Sequence, residues 1–403
     1  MTERLRSKAL RARLMDADEA VRRFVPERGS IAFSCMGGSS LAKEIPEALA
    51  RSADAGRRYE LTLLTGGATT TGFETCAARL SIRRRFPYLS EAARTPVNEG
   101  SVEFFDCRIG EYPNLVRQGT LTAGKPLDVA VVEATAIDEK GRLIPALSLD
   151  ALPAFVEASR RVIVELNERK PDLTGLHDIY RVRPGVPIPI RGVRDRVGTP
   201  FVRVAKSKIA AIVRTDREDM PSAAYSGPGP TDLRVAEGVA GCLAEELTGH
   251  AWGGRFALQL GAGPLAAALM EVLPFRAAAN TSHVGRNAHN GVGGSQDFTR
   301  AARLVVVAMA STAAGDRYSR IVPLLSSPDI PRQDVDVLVT EQGHADLRGF
   351  SPRERAERVI DRCSHPRFRE DLWAYYRAAK EAGGHLPFSL EAASRFAETQ
   401  GRP

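Results

Sequence analysis

Along the first 220 residues, short blocks of aliphatic and β-branched side chains alternate with stretches of helical periodicity. That alternation confines the chain to a layered α/β fold. The strand blocks are Ser30 to Ser34, Glu60 to Thr65, Val102 to Cys107, Asp128 to Glu133, Arg161 to Leu166 and Ile209 to Val213. Asp128-Val-Ala-Val-Val-Glu133 carries an unbroken apolar run, as a strand covered on both faces does in a parallel sheet. Helices fall between the blocks, at Ala42 to Ala53 and Leu149 to Ala158. A chain of 403 residues exceeds what one core usually serves, so two domains are expected. Pro221, Gly227, Pro228, Gly229 and Pro230 mark a linker over 221–231, which separates a domain at 1–220 from one at 232–403. Beyond the linker the alternation resumes. Helices are expected over Asp232 to Leu247 and Pro264 to Leu273, and strands at Phe256 to Leu260, Leu304 to Met309, Ser319 to Pro323 and Val335 to Val339. Pro352 to Thr399 reads as mostly helical.

The net charge of +7 invites a nucleic-acid partner, but the basic residues do not support one. They are overwhelmingly arginine and run along the whole chain, interleaved with acids and apolar residues, whereas a nucleic-acid footprint gathers on one face. Arginines in this arrangement suit an anionic small molecule such as a carboxylate or a nucleotide phosphate. No apolar run approaches the roughly 20 residues of a membrane span. The five cysteines are odd in number, widely spaced and in no metal-binding pattern, which fits reduced thiols in the cytoplasm. The arginine-rich start also carries Glu3, Asp16, Asp18 and Glu19, which transit segments avoid.

Three segments have the residue types that carry chemistry. Leu258-Gln-Leu-Gly-Ala-Gly-Pro264 reads as a strand, a glycine turn and a helix start. Gly261 and Gly263 admit close backbone approach, and the helix N-terminus favours negative charge. Asn290-Gly-Val-Gly-Gly-Ser-Gln-Asp297 frees the N–H groups around Gly291, Gly293, Gly294 and Ser295 to face a ligand or an oxyanion. In Val339-Thr-Glu-Gln-Gly-His-Ala-Asp346 a strand is expected to end in polar residues and turn at Gly343. Glu341 then stands at the carboxyl end of a strand, where open α/β sheets place functional groups. Ser351, Pro352 and Glu354 read as the cap and first turn of the helix that follows. Each segment also has a purely structural reading: a tight turn, a flexible loop and an ion pair, respectively. His283, His289 and His344 lie near these loops without metal-ligand spacing.

The combination resembles the acetyl-CoA hydrolase and succinyl-CoA:acetate CoA-transferase family. Thr340 to Gly349 followed by Ser351-Pro-Arg-Glu-Arg-Ala356 is similar to the family block T-E-Q-G-x-A-D-L-R-G-x-x-P-R-E-R-A. Cys363-Ser-His-Pro366, Ser319-Arg-Ile-Val-Pro323 and Asn290 to Phe298 resemble further family blocks, and so do Leu63-Leu-Thr-Gly66, Val102 to Asp106, Gly175 to Tyr180 and Arg196 to Pro200. The resemblance implies two open α/β domains of the CoA-transferase type, with an acyl-CoA and a small carboxylate as substrates. It implies no cofactor beyond the CoA thioester, which is itself the substrate. In the implied ping-pong route a glutamate attacks the thioester and forms a glutamyl-CoA intermediate. Backbone amides that map to Ala262 and Gly294 stabilise the oxyanions.

The family carries that glutamate in a T-E-V-x-x-D-G-like stretch between the G-x-G helix and an N-S-T-H-V segment. Here Leu273-Pro-Phe275 passes directly into Arg276-Ala-Ala-Ala-Asn-Thr-Ser-His-Val284, so the stretch is absent and the second domain is reduced near 275–280. Glu271 does not replace it. It lies about 120° from the apolar stripe of Leu265, Leu269 and Val272, on the solvent side of its helix. Glu341 is left as a supporting acid. The sequence therefore leaves two readings open: CoA transfer or acyl-CoA hydrolysis, and a catalytically silent paralogue that binds CoA or a partner. A smaller second sheet is expected, with an apolar patch or open edge near Ala277 to Ala279 that a homodimer would cover.

Overall fold

A computed structural model describes residues 4–182, 186–192, 194–219, 227–249, 263–272, 295–300, 302–325 and 330–400. The described residues up to 219 form one compact unit, and those from 227 onward form a second. Most of the expected linker, and the strand expected at Phe256 to Leu260, lie outside the described residues.

The first unit contains strands β1 (Arg28–Phe33), β2 (Glu60–Leu64), β3 (Ser81–Phe86), β4 (Glu103–Phe104), β5 (Leu127–Ile137), β6 (Leu143–Pro145), β7 (Ser159–Asn167) and β8 (Ile209–Thr215). Its helices are α1 (Ala17–Phe24), α2 (Glu44–Asp54), α3 (Thr71–Ala77), α4 (Glu91–Asn98), α5 (Tyr112–Arg117) and α6 (Leu152–Ala158). The strand order is β4-β3-β2-β1-β5-β7-β8, parallel throughout, and β6 pairs antiparallel with β5. From β1 the chain builds outward in one direction through β2, β3 and β4, and in the other through β5, β7 and β8. The order thus reverses between β1 and β5, the position where doubly wound sheets bind ligands. One face is covered by α1, α2 and α3 over Ile31, Leu61, Leu63, Val129 and Val131, and the other by α5 and α6 over Ala32, Leu64, Leu127 and Ala130. β5 is buried along nearly its whole length, as its apolar run requires.

β3 departs from the expected pattern. Ser81-Ile-Arg-Arg-Arg-Phe86 forms a strand although charge masks its alternation. Arg83 pairs with Glu60 and Arg84 with Glu103 at the surface, while the buried Arg85 makes a two-toothed contact with Glu74. The strand expected over Val102 to Cys107 shrinks to Glu103–Phe104, because it lies at the sheet edge with β3 as its sole partner.

A pair of fully buried carboxylates ties this unit together. Glu133 on β5 and Glu165 on β7 are register partners on neighbouring strands, and neither is exposed to solvent. Glu133 accepts from Lys43 Nζ at 2.6 Å, Lys170 Nζ at 2.5 Å and Asn167 Nδ2 at 2.7 Å. The same two lysines reach Asp219, at 3.0 and 2.8 Å. Burial pushes the Lys43 ammonium down, but Glu133 and Asp219 outweigh it and hold its pKa above the usual 10.5. Glu165 instead accepts the backbone N–H groups of Lys43, Glu44 and Ile45 at 2.7, 3.2 and 2.7 Å, and so caps the N-terminus of α2.

The second unit contains helices α7 (Pro230–Gly249), α8 (Pro264–Val272), α9 (Ser295–Thr299), α10 (Pro352–Cys363), α11 (Pro366–Glu381) and α12 (Leu390–Thr399). Its strands are β9 (Val306–Ala308), β10 (Thr312–Ala313), β11 (Tyr318–Ser319), β12 (Val337–Thr340) and β13 (Gly343–Asp346). Among the described residues its main sheet has three strands in the order β13-β12-β9, against eight in the first unit. The expected strand from Ser319 to Pro323 is reduced to the two residues of β11. The junction at 273–280 lies outside the described residues. α10 starts as its sequence dictates, with a full capping box between Ser351 and Glu354 and with Pro352 first inside the helix.

Burial raises the Glu165 pKa to about 7, against the pull of its three N–H donors. Its proton therefore favours the fold at low pH, and that contribution is lost as pH rises from about 4.5 towards 7. Glu165→Gln removes this slope but turns an amide N–H towards the α2 donors. It is expected to cost about 1–3 kcal/mol at neutral pH, the penalty of a buried donor left unpaired. Hydrogen exchange in β7 and β8 under increasing urea measures it.

Candidate functional site

Glu341 stands where the sequence places it, at the carboxyl end of a strand, but the local fold differs. The chain does not run from Gly343 towards a helix. It folds back as β13, with Thr340 paired to Gly343 and with Glu341-Gln342 as the two-residue turn. Gly343 has φ +147°, and a Cβ there would lie 2.9 Å from the Arg362 carbonyl, so no larger residue fits between the hairpin and α10. The polar Gly-His-Ala-Asp stretch gives little sign of a strand. It forms one because β12 offers it an antiparallel edge.

β12 also pairs in parallel with β9, which brings the chain just after β9 beside the Glu341 turn. Ser311 donates its backbone N–H to Glu341 Oε2 at 2.8 Å and its hydroxyl to Oε1, and Gln342 Nε2 donates to Oε1 at 2.9 Å. Burial pushes the Glu341 carboxyl up, but the bonds from Ser311 and Gln342 outweigh it and hold the pKa below the usual 4.5. Glu341 is a partly buried, firmly oriented carboxylate at neutral pH. The expected ion pair with an arginine is not its partner set; hydroxyl and amide donors are. Arg348 of the same block is engaged elsewhere, with Asp346 at 2.8 Å and with Glu246 of α7 at 2.9 Å. Thr340 Oγ1 donates to the Cys363 carbonyl at 2.9 Å, which links the block to the end of α10.

Gly263, with φ +128°, leads into α8, and its carbonyl accepts from Ala267 at 3.1 Å. Glu271 on α8 is exposed, while Leu265, Leu269 and Val272 pack towards the core with α7 and β12, as the helical period implies. Ser295 opens the short helix α9. Gly261, Ala262, Gly291, Gly293 and Gly294 lie outside the described residues, and with them both expected oxyanion donors. Among the described residues no cluster of three or more His, Cys, Asp or Glu side chains could hold a metal ion. Likewise no described helix is long and apolar enough to cross a membrane.

The first unit supplies groups that motif reading did not single out. At the carboxyl edge of β1 and β2, Asp150 is half-buried, with its Oδ2 buried against Gly66 of the turn that follows β2. A Cβ on Gly66 would lie 1.8 Å from the Cys35 carbonyl and 1.9 Å from Asp150 Oδ2, so the Thr-Gly pair after β2 is there for close approach. A signal for the Glu133 network did exist. A glutamate inside a strand that is otherwise apolar on both faces must find a cation, and Lys43 and Lys170 supply it.

The two halves of the fold have known counterparts. Its arrangement is that of a CoA-transferase fold: RipA from Yersinia pestis superposes with a TM-score of 0.63 at 18% identity, covering 92% of this chain and 98% of that one. The 4-hydroxybutyrate CoA-transferase of Porphyromonas gingivalis gives 0.60 at 20% identity, over 92% and 99%. The acetyl-CoA hydrolase/transferase N-terminal domain model matches residues 2–213 and the corresponding C-terminal domain model residues 270–376; the chain belongs to this family. It is 29% identical to the succinyl-CoA:acetate CoA-transferase of Clostridium kluyveri, over 97% of this chain and 89% of the relative. It is 30% identical to the acetyl-CoA hydrolase of Eremothecium gossypii, over 91% and 90%. The Clostridium alignment runs over 487 positions, more than the 403 residues available, so it crosses stretches of the relative that have no counterpart here.

A carboxylate with a depressed pKa stabilises the fold above its unfolded pKa, and the gain is lost as pH falls through the folded value. For Glu341 the gain is complete above about pH 4.5 and disappears on acidification. Glu341→Gln is therefore expected to be less stable than the parent at pH 7 and to converge with it in acid. Paired thermal melts from pH 7 to pH 3 check this. Equal differences at every pH would mean the carboxylate charge contributes nothing.

Proposed function

We propose that this chain recognises an acyl-CoA and a small carboxylate, and that covalent CoA transfer between them is lost or strongly reduced. The observation that carries this reading is the direct passage from Leu273-Pro-Phe275 to Arg276-Ala-Ala-Ala-Asn280, where the family has its glutamate segment. The alignment that is longer than the chain supports a deletion of this kind. Backbone donors cannot form the glutamyl-CoA thioester, although an oxyanion hole alone can sustain weak hydrolysis. Glu271 faces solvent, and Glu341 is held by Ser311 and Gln342, so neither is presented as a free nucleophile.

A second reading, retained transferase or hydrolase activity, is favoured by the intact block around Glu341 and by the ionised state of that carboxylate. In that case Glu341 acts as a supporting acid, and Ala262 and Gly294 as the oxyanion donors. In both readings no cofactor is needed beyond the CoA thioester. A cytoplasmic homodimer belongs to the proposal: all five cysteines are free, and Val182, Val186, Ile188 and Ile190 lie exposed on one stretch that a second copy would cover.

Two assays on one preparation separate the readings. Calorimetric titration with CoA and acetyl-CoA is expected to give saturable binding. Incubation with acetyl-CoA and succinate is expected to give no exchanged thioester and at most slow release of free CoA. Robust exchange would establish the second reading, and absence of binding to millimolar CoA by folded protein would overturn both.

A further inference from the structure

The chain around Ser311 is held more tightly than a link between two short strands requires. β10 and β11 pair antiparallel, Thr312 with Ser319 and Ala313 with Tyr318, and the loop between them starts with three left-handed residues. Ala314, Gly315 and Asp316 have φ +52°, +66° and +60°. A Cβ on Gly315 would meet nothing within 4 Å, so this glycine serves the conformation and not the space. Ala314 has neither the freedom of glycine nor a side chain that can bond locally, so its surroundings must hold it there. Those surroundings are well defined. Thr312 donates its hydroxyl to Asp316 Oδ1 at 2.5 Å, Arg317 donates to the Ala314 carbonyl at 3.0 Å, and Arg367 of α11 donates to the Asp316 carbonyl at 3.4 Å. Gln400, just past α12, accepts from the Ser319 N–H at 2.7 Å.

What the hairpin fixes is Ser311, which is fully buried. Its carbonyl accepts from the Arg320 N–H at 2.8 Å, and Met309 ties the same stretch to β12 through the Val339 carbonyl at 3.1 Å. Gripped from both ends, Ser311 gives both of its donors to Glu341, the N–H to Oε2 and the hydroxyl to Oε1. A carboxylate offers about four acceptor positions. Ser311 fills two and Gln342 a third, which leaves one on Oε2 among the described residues. The ionisable groups beside this half-buried carboxylate are Cys363 of α10, whose thiol feels its charge, and His344 of β13, which faces Glu245 of α7 at 3.8 Å.

We propose that Ser311 is a positioning residue for ligand recognition: clamped by the β10–β11 hairpin, it turns the remaining acceptor position of Glu341 Oε2 towards a hydrogen-bond donor of the bound acyl-CoA. The ligand in this assignment rests on the acyl-CoA reading above, and the clamp rests on the bonds themselves. The chemistry is matched. The pantetheine arm of an acyl-CoA is uncharged and carries amide N–H groups and a hydroxyl. An acceptor already fixed in direction binds such donors without the ordering cost of a mobile side chain. The carboxylate that Ser311 and Gln342 keep ionised is a strong acceptor for them.

The test is a double-mutant cycle of Ser311→Ala and Glu341→Ala, read by calorimetric titration with acetyl-CoA, together with the titration of the Glu341 carboxyl followed by NMR. Ser311→Ala is expected to weaken acetyl-CoA binding about tenfold, and to add nothing in a chain that already carries Glu341→Ala. The Glu341 midpoint is expected to rise towards the usual 4.5 in Ser311→Ala, because a bond that favours its charged form is gone. Asp316→Ala, which loses both the bond from Thr312 and the tolerance for positive φ, is expected to raise the midpoint too, and Asp316→Asn to leave it in place. An unmoved midpoint in Ser311→Ala would overturn the coupling of Ser311 to Glu341, and an unmoved midpoint in Asp316→Ala the part of the hairpin. Equal loss of affinity with and without Glu341 would mean that Ser311 acts through the fold as a whole, which overturns the positioning role. Wild type that binds no acetyl-CoA would overturn the acyl-CoA reading and the ligand assigned here, while the midpoints still decide the clamp.

Discussion

Glu133 and Glu165 stand opposite one another on adjacent parallel strands, both without solvent access, and the first unit is arranged around keeping these two carboxylates apart in character. Two like charges in register would repel strongly in a medium of low dielectric. Glu133 is neutralised by Lys43 and Lys170, with Asn167 as a further donor, while Glu165 takes the N–H groups at the head of α2. Lys43 serves both: its ammonium goes to Glu133 and its backbone N–H to Glu165. The turn after β1, the start of α2, the middle of β5 and the end of β7 are thereby fixed relative to each other. Removing one member would leave a buried charge uncompensated, which costs far more than the intact network contributes.

That arrangement also decides what the carboxyl edge can bind. In a doubly wound sheet the first strand-to-helix turn commonly receives a phosphate, because free N–H groups and the helix dipole point at it. Here Glu165 supplies the anion from within the fold, and burial brings its pKa to about 7 as the cost of doing so. A ligand approaching this edge meets a turn tied by Ser148 to Ser39 and Ser40, and the exposed side chain of Met36, rather than an anion seat.

The fold was legible wherever an element is buried on its own account. β5, β7, β8, α2 and α6 announce themselves through unbroken apolar runs or helical spacing, and the Ser351 capping box fixes the start of α10. Reading failed where a neighbour decides the matter. β3 is a strand because Glu60, Glu103 and Glu74, all at least eleven residues away, neutralise its arginines, and the polar β13 is one because β12, just before it, offers an edge. For the site, Glu341 was visible from its place at a strand end, but Ser311, thirty residues earlier, was not, because β9 and β12 are brought together by parallel pairing across a connection. Asp150 was hidden for the same reason: its Oδ2 lies against Gly66, which belongs to another turn.

Retention of the Glu341 block beside loss of the glutamate segment follows from how the two are held. Thr340, Glu341, Gly343, Arg348 and Ser351 each make a bond or close contact that the second unit needs: with Cys363, Ser311, Arg362, Glu246 and Glu354, respectively. A chain that gave up catalysis would still have to keep most of this block to hold β12, β13, α7 and α10 together. The block is therefore strong evidence for the family and weak evidence for turnover. The reactive glutamate is different in kind. Its role in the family is chemical, and a segment that carries it can be lost if the flanking helix and loop can be joined, which the six residues from Pro274 to Ala279 do over at most about 20 Å. Motif survival is therefore no measure of activity, because the motif that survives is also structural.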